Sequence, residues 1–103
     1  MATDYFLYRD GAYDLLGAIN FDTAPFWLSA SEGLFAQLQK QTVTLNFTTL
    51  ELTTSSAGLA LIVEWLKLAA KYQVTLRFTN FPPALLSIAK VSGVIDLIQP
   101  SLS

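Results

Sequence analysis

The chain has 103 residues, of which 52% are hydrophobic and 14% are charged, and its net charge is −2. This length predicts a single domain over residues 1–103, and the apolar composition excludes a disordered segment. The six basic residues are scattered and form no basic stripe, which argues against a nucleic-acid-binding protein. Histidine and cysteine are absent. The usual zinc ligands, the Ser-His and Cys-His nucleophile pairs and disulfide bonds are therefore excluded, and a cytosolic location is favoured.

The N-terminal residues predict a β-hairpin. Residues 5–8 are predicted as an edge strand, Arg9-Asp10-Gly11 as a turn, and residues 12–21 as a second strand. Gly17 is a candidate bulge within that second strand.

A helix is predicted after the hairpin. Asp22 and Thr23 favour a helix start before Pro25. Ser29 and Glu32 have the spacing of a capping box, so residues 25–39 are predicted to form either one helix or two broken pieces.

Two segments, residues 42–48 and 74–79, alternate apolar and polar side chains and predict strands that are buried on one face. A helix between them predicts a β-α-β unit with a right-handed parallel crossover. Further along the chain, Pro83 suits a helix start and Gly93 a helix stop. Residues 95–98 are predicted as a last short strand, and residues 100–103 as a loose end.

The long helix that begins near Ser56 is more apolar than one core face requires. At about 100° per residue, its predicted core face comprises Leu59, Ile62, Val63, Leu66 and Ala70. A second apolar stripe comprises Leu61, Trp65, Leu68 and Tyr72. Two interpretations of that stripe are open: the terminal segments of the chain cover it, or it contacts a partner, as large exposed apolar patches usually do. Glu64, Lys67 and Lys71 interrupt the apolar run, which is too short for a membrane span of roughly 20 residues.

No constellation of residues predicts catalysis, a cofactor or a metal site. The glycines form no phosphate-binding loop, and Asp10 and Asp14 are predicted to be solvated carboxylates near a turn. The Ser and Thr residues at positions 53–56 are predicted to cap the long helix, through Ser55 or Ser56, for about 1 kcal/mol. As an alternative to a capping role alone, Ser56 is a candidate for a partner contact or for phosphorylation.

The order of these elements resembles a STAS domain, the family named after sulfate transporters and anti-sigma-factor antagonists. The resemblance rests on Ser55-Ser56-Ala57-Gly58-Leu59 before the long helix, Asn80-x-Pro82 after the next strand, and Val91-Ser92-Gly93-Val94 near the end. It covers nearly the whole chain. It implies an α/β fold in which a mixed β-sheet of four to five strands packs with about four helices around a β-α-β core.

Within this family, residues 56–61 are most similar to MlaB-like subunits of the Mla phospholipid-transport ABC complex of Gram-negative bacteria. The resemblance implies a non-catalytic cytoplasmic subunit that docks on and supports an MlaF-like ATPase subunit, in a complex with a permease and a lipid-binding subunit. Such a complex maintains outer-membrane lipid asymmetry, and this chain would meet the membrane only through it. The predicted partner-binding residues are Ser55, Ser56, Ala57, Gly58, Leu61, Trp65 and Leu68.

The same resemblance leaves an alternative, an anti-sigma-factor antagonist in a partner-switching pathway. In such antagonists the phosphorylated Ser directly precedes the motif Gly, where this chain has Ala57. The family also commonly has Asp where this chain has Ser55. Ser56 matches the position of a functional Thr in MlaB-like proteins and keeps the hydroxyl, so the Mla-type interpretation is favoured.

Overall fold

The computed structural model describes residues 5–52 and 55–102 of the chain, with six strands and four helices among them. The strands are β1 (Phe6–Arg9), β2 (Ala12–Leu15), β3 (Gly17–Ile19), β4 (Thr42–Asn46), β5 (Leu50–Leu52) and β6 (Thr75–Thr79). The helices are α1 (Ala24–Gln37), α2 (Ser55–Tyr72), α3 (Pro83–Val91) and α4 (Ile95–Ile98), and a 3₁₀ turn follows at Gln99–Ser101.

A mixed four-stranded sheet, in the order β1-β2-β4-β6, forms the centre of the fold. β1 and β2 pair antiparallel, as the predicted hairpin requires, whereas β4 pairs parallel with both β2 and β6. The parallel pairing of β4 with β6 across α2 confirms the predicted β-α-β unit. β3 and β5 form a separate two-stranded parallel sheet. The α/β architecture inferred from the resemblance is therefore confirmed.

The core lies where α1 and α2 pack against each other and against the sheet. Alternate residues of β4 and β6 point into it, which follows from the period of two along a strand. The largest fully buried side chains include Trp27 of α1, Trp65 of α2 and Phe78 of β6.

Predicted residues 12–21 form two strands rather than one, because the backbone breaks at Leu16 and Gly17. Gly17 adopts φ +106°, a conformation that glycine reaches at little cost. The break separates β2, in the main sheet, from β3, in the small one. The interruption of the predicted strand thus lies at Gly17, where the sequence predicted a bulge.

Helix α1 is one continuous helix, and the predicted capping box within it is wrong. Ser29 lies exposed inside the helix, and the Glu32 side chain bonds to α2 instead. The helix begins after Thr23, as predicted. There the Asn20 N–H donates to Thr23 Oγ1 at 3.0 Å, and the Thr23 N–H donates to Asn20 Oδ1 at 2.9 Å.

The C-terminal segment differs from its prediction in two respects. Residues 95–98 form the short helix α4 rather than a strand, because a segment of four residues, three of them apolar, is too short to show a helix or strand period and only packing decides between the two. The predicted loose end is packed: Ser101 is buried, and Leu102 forms a parallel bridge to Phe78 of β6. The predicted helix stop at Gly93 is confirmed, with φ +76°.

Candidate partner-docking site

The orientation of α2 reverses the predicted roles of its two apolar stripes. Trp65 is 0% exposed and Leu61 is 3% exposed. Of the predicted core face, only Ile62 is fully buried, and Ala70 is exposed. The observed core stripe comprises Ala57, Leu61, Ile62, Trp65 and Ala69. The prediction that Trp65 presents a partner surface is therefore wrong. Leu61 contributes only a small part of its surface, which lines an apolar cleft between α1 and α2, and Leu68 is half-buried.

Helix α1, rather than a terminal segment, supplies the main cover over Trp65. The indole N–H of Trp65 donates to Ser31 Oγ at 2.6 Å, and the Ser31 hydroxyl donates to the carbonyl oxygen of Trp27 at 2.6 Å. The Trp65 ring lies edge-on to Trp27, with centroids 6.4 Å apart, and to Phe47, at 6.3 Å. A buried indole N–H needs such an acceptor, and the one buried serine of α1 provides it. The pairing of the two helices thus determines which stripe of α2 faces inward.

At the start of α2 the structure separates the predicted contact residues. Ser56 is exposed, whereas Ala57 and Gly58 are buried within the domain. A direct partner contact through the Ala57 side chain and through Gly58 is therefore contradicted. The predicted cap by Ser55 and the residues at positions 53–54 fall outside what the structure describes.

An apolar cleft of about 290 Å³ opens between the start of α1 and the second and third turns of α2. It is lined by Phe21, Ala24, Pro25, Leu28, Ala60, Leu61 and Glu64. Phe21 is 64% exposed, although it is a large aromatic residue. Ala60 and Glu64 follow Ser56 at intervals of four residues, so the three share one face of α2. The exposed hydroxyl at the helix start and the cleft therefore form one continuous surface, which we call the α1–α2 cleft face.

A second apolar cleft, of about 330 Å³, lies on the other flank of α2. It is lined by Val63, Leu66, Lys67, Ala70 and Leu97. Leu97 is 60% exposed, and nearby in sequence Val91 is 89% exposed. The stripe that the sequence assigned to the core thus contributes largely to a surface.

A polar network holds together the carboxyl ends of three strands. Asp14, predicted to be solvated, is only 3% exposed; its carboxylate accepts hydrogen bonds from Arg9 Nη2 and from Asn46 Nδ2, the latter at 3.0 Å. Asn46 Oδ1 in turn accepts from Thr48 Oγ1 at 2.8 Å and from Asn80 Nδ2 at 2.9 Å. Because Asp14 and Asn46 are register partners in β2 and β4, the network anchors the chain that leads from β4 towards α2.

An exposed ion pair joins the two long helices. Lys71 Nζ lies 3.0 Å and Tyr72 Oη 3.1 Å from Glu32 Oε2. These hydrogen bonds, from Lys71 first and then Tyr72, hold the pKa of the Glu32 carboxyl below its usual value, and the same pair raises the pKa of Lys71. This ion pair joins α1 to α2 near the end of α2, away from the α1–α2 cleft face.

Within residues 5–52 and 55–102, no group of three or more acidic side chains is placed to hold a metal ion. None of the helices within these residues combines the length and the apolar character needed to cross a membrane.

Comparison with known proteins and families identifies the family of this chain. No curated protein sequence matches it. The family model of the STAS domain matches residues 7–103, which is almost the full length: the match begins within β1 and includes the other five strands and the four helices described above. The chain therefore belongs to the STAS domain family.

Proposed function

We propose that this STAS domain is the non-catalytic cytoplasmic subunit of an Mla-type ABC phospholipid transporter. In this role it docks on an MlaF-like ATPase subunit, within a complex that also holds a permease and a lipid-binding subunit, and supports the maintenance of outer-membrane lipid asymmetry. It hydrolyses no ATP and needs no cofactor.

The observation that carries the proposal is the exposed hydroxyl of Ser56 at the start of α2, with Ala57 buried beside it. Ser56 stands where MlaB-like relatives have a functional Thr. Ala57 occupies the position of the phosphorylated serine of sigma-pathway antagonists. It has no hydroxyl and it is buried, so a kinase cannot phosphorylate it. The α1–α2 cleft face adds the exposed aromatic Phe21, and aromatic anchors tend to dominate interface energy.

The proposal is tested with the purified chain and the ABC ATPase encoded by the same host. We expect a stable complex in size-exclusion chromatography and a higher rate of ATP hydrolysis by the ATPase when the chain is added. The chain alone should hydrolyse no ATP. If the ATPase neither binds the chain nor changes its rate, the proposed function is wrong.

A substitution at Ser56 tests its role in docking. We expect Ser56→Glu to weaken binding of the ATPase at least about tenfold, because charge and bulk enter the centre of the contact. Ser87→Glu, on an exposed position of α3 that does not line the cleft, introduces the same charge as a control. Equal affinities for wild type and Ser56→Glu, measured by isothermal titration calorimetry, would exclude Ser56 from the contact.

The alternative function, an anti-sigma-factor antagonist, is favoured by one observation: the Ser56 hydroxyl is accessible at a helix N-terminus, where a phosphate is electrostatically stabilised. This alternative requires a serine kinase as partner. Incubation with the anti-sigma kinases of the host, followed by mass spectrometry, distinguishes this function from the transporter function. Stoichiometric phosphate on Ser56, together with kinase binding and no ATPase binding, would replace the transporter proposal.

A further inference from the structure

The α1–α2 cleft is suited to a side chain of another protein rather than to a small molecule. Its volume of about 290 Å³ lies at the lower limit of small-molecule pockets, which span roughly 300–1,000 Å³. Such pockets also present a few convergent polar groups, whereas among the residues that the structure describes Glu64 is the only charged one that lines this cleft. An apolar depression of this size, open to solvent, is typical of a site for one buried anchor residue.

Small and rigid residues keep the cleft open. Ala60 contributes only a methyl group to the wall formed by α2, and Pro25 holds the first turn of α1. Phe21 forms part of the lining with 64% of its surface exposed. An apolar side chain inserted here would cover Phe21 and remove apolar surface from water on both sides of the contact.

The charges around the cleft are acidic. Glu64 lines it, and Asp22, the neighbour of Phe21 in sequence, is exposed. Lys67 Nζ pairs with Glu64 Oε2 at 3.2 Å on the surface. A pair of this kind is weak and solvent-screened, so Glu64 is available to a stronger cation. A basic group on the partner therefore complements this rim.

We propose that the α1–α2 cleft binds an apolar side chain of the ATPase subunit that is flanked by Lys or Arg. This inference rests on the proposed function and specifies the chemistry of its contact. Since Ser56, Ala60 and Glu64 lie on one face of α2, the hydroxyl, the cleft and the acidic rim engage the same segment of the partner. The apolar group fills the cleft, and the cation meets Glu64.

Two pairs of variants test the proposal by the affinity for the purified ATPase. Ala60→Trp fills the cleft and should weaken binding at least about tenfold. Ala70→Trp, its control, places the same side chain on the other flank of α2, in the second cleft, and should leave binding unchanged. Glu64→Lys should weaken binding about three- to tenfold at low salt, and this loss should shrink at about 1 M salt. Asp96→Lys, on exposed α4, makes the same change of charge as a control.

The outcomes separate the cleft from the function as a whole. Absence of binding by the wild-type chain overturns the proposed function. Wild-type binding that Ala60→Trp leaves intact, or that Ala70→Trp weakens more, overturns the cleft as the contact. If Ala60→Trp weakens binding of the ATPase and Glu64→Lys does not, the proposed Lys or Arg beside the apolar side chain is wrong.

The absence of native cysteine allows a direct test that does not depend on the fold of a Trp variant. Ala60→Cys offers a single thiol in the chain, which can be labelled with a benzophenone maleimide and photo-crosslinked to the ATPase. We expect the cross-linked peptide, identified by mass spectrometry, to contain a large apolar residue with Lys or Arg within one helical turn. A peptide that is acidic, or one that comes from a second copy of this chain, would overturn the proposal.

Discussion

The substitution Trp65→Ala tests the orientation of α2, on which the whole site depends. Trp65 is completely buried, lies edge-on to Trp27 and Phe47, and donates a hydrogen bond to Ser31. Truncation to Ala removes the indole from the centre of the core and leaves a cavity between the two long helices. It leaves the Ser31 hydroxyl with its acceptor, the carbonyl oxygen of Trp27, so the cavity is the principal effect.

The expected cost is large for a domain of this size. Trp→Ala substitutions in cores cost about 3–5 kcal/mol, and the free energy of unfolding of a whole domain is about 5–15 kcal/mol. At about 4–8 °C per kcal/mol for domains of roughly 100 residues, the melting temperature should fall by about 12–40 °C. The variant should therefore melt far below wild type, and a loss of partner binding close to its melting temperature would follow from unfolding.

Thermal and urea unfolding followed by circular dichroism at 222 nm measure this effect independently of tryptophan fluorescence. Leu97→Ala is the control, because Leu97 is 60% exposed and a surface truncation should change the free energy of unfolding by less than about 0.5 kcal/mol. A Trp65→Ala variant that melts within a few degrees of wild type, yet no longer binds the ATPase, would refute the buried position of Trp65. That result would restore Trp65 as a docking residue.

Two further predictions concern the polar contacts. Asp14→Ala leaves two side-chain donors without their buried acceptor and should lower the free energy of unfolding by about 2–3 kcal/mol in urea denaturation, whereas a change below about 0.5 kcal/mol would contradict the network. The pKa of Glu32 should be below that of an ordinary glutamate in an NMR titration, and Lys71→Met should raise it. Because the folded-state pKa is depressed, the stability that this carboxylate contributes is present above about pH 4.3 and is lost as the pH falls through the folded-state pKa. A Glu32 pKa that Lys71→Met leaves unchanged would contradict this contact.

Local patterns in the sequence were sufficient for most of the elements. The strict alternation of residues 42–48 and 74–79 identifies β4 and β6, because only a half-buried strand has a period of two. Gly93 and the turn at Asp10-Gly11 are recognisable because their positive φ values require residues that tolerate them. Residues 95–98 were assigned incorrectly for the opposite reason: a segment of four residues, three of them apolar, is too short for its pattern to distinguish a strand from a helix.

The candidate site was only partly predictable. The position of Ser56 at the start of α2 was predictable, because a helix start has a local signature of small hydroxyl residues, whereas its role in docking stays a prediction. The Asp14–Asn46 contact was missed, since it joins residues 32 positions apart whose register no local pattern specifies. The α1–α2 cleft was missed as well, because it exists only where Phe21 and Ala60 are brought together by the packing of two helices.

The amino-acid sequence alone established a small α/β domain, its β-α-β unit and the hydroxyl at the start of α2, since each depends on neighbours within a few residues. The sequence alone did not determine which face of α2 points into the core. Apolar side chains cover so much of that helix that two different faces could enter the core at similar cost in exposed surface. The choice was made by α1, whose Ser31 accepts the indole N–H of Trp65 and whose first turn closes one wall of the cleft. Such a contact, between residues 34 positions apart, arises only when the helices pack.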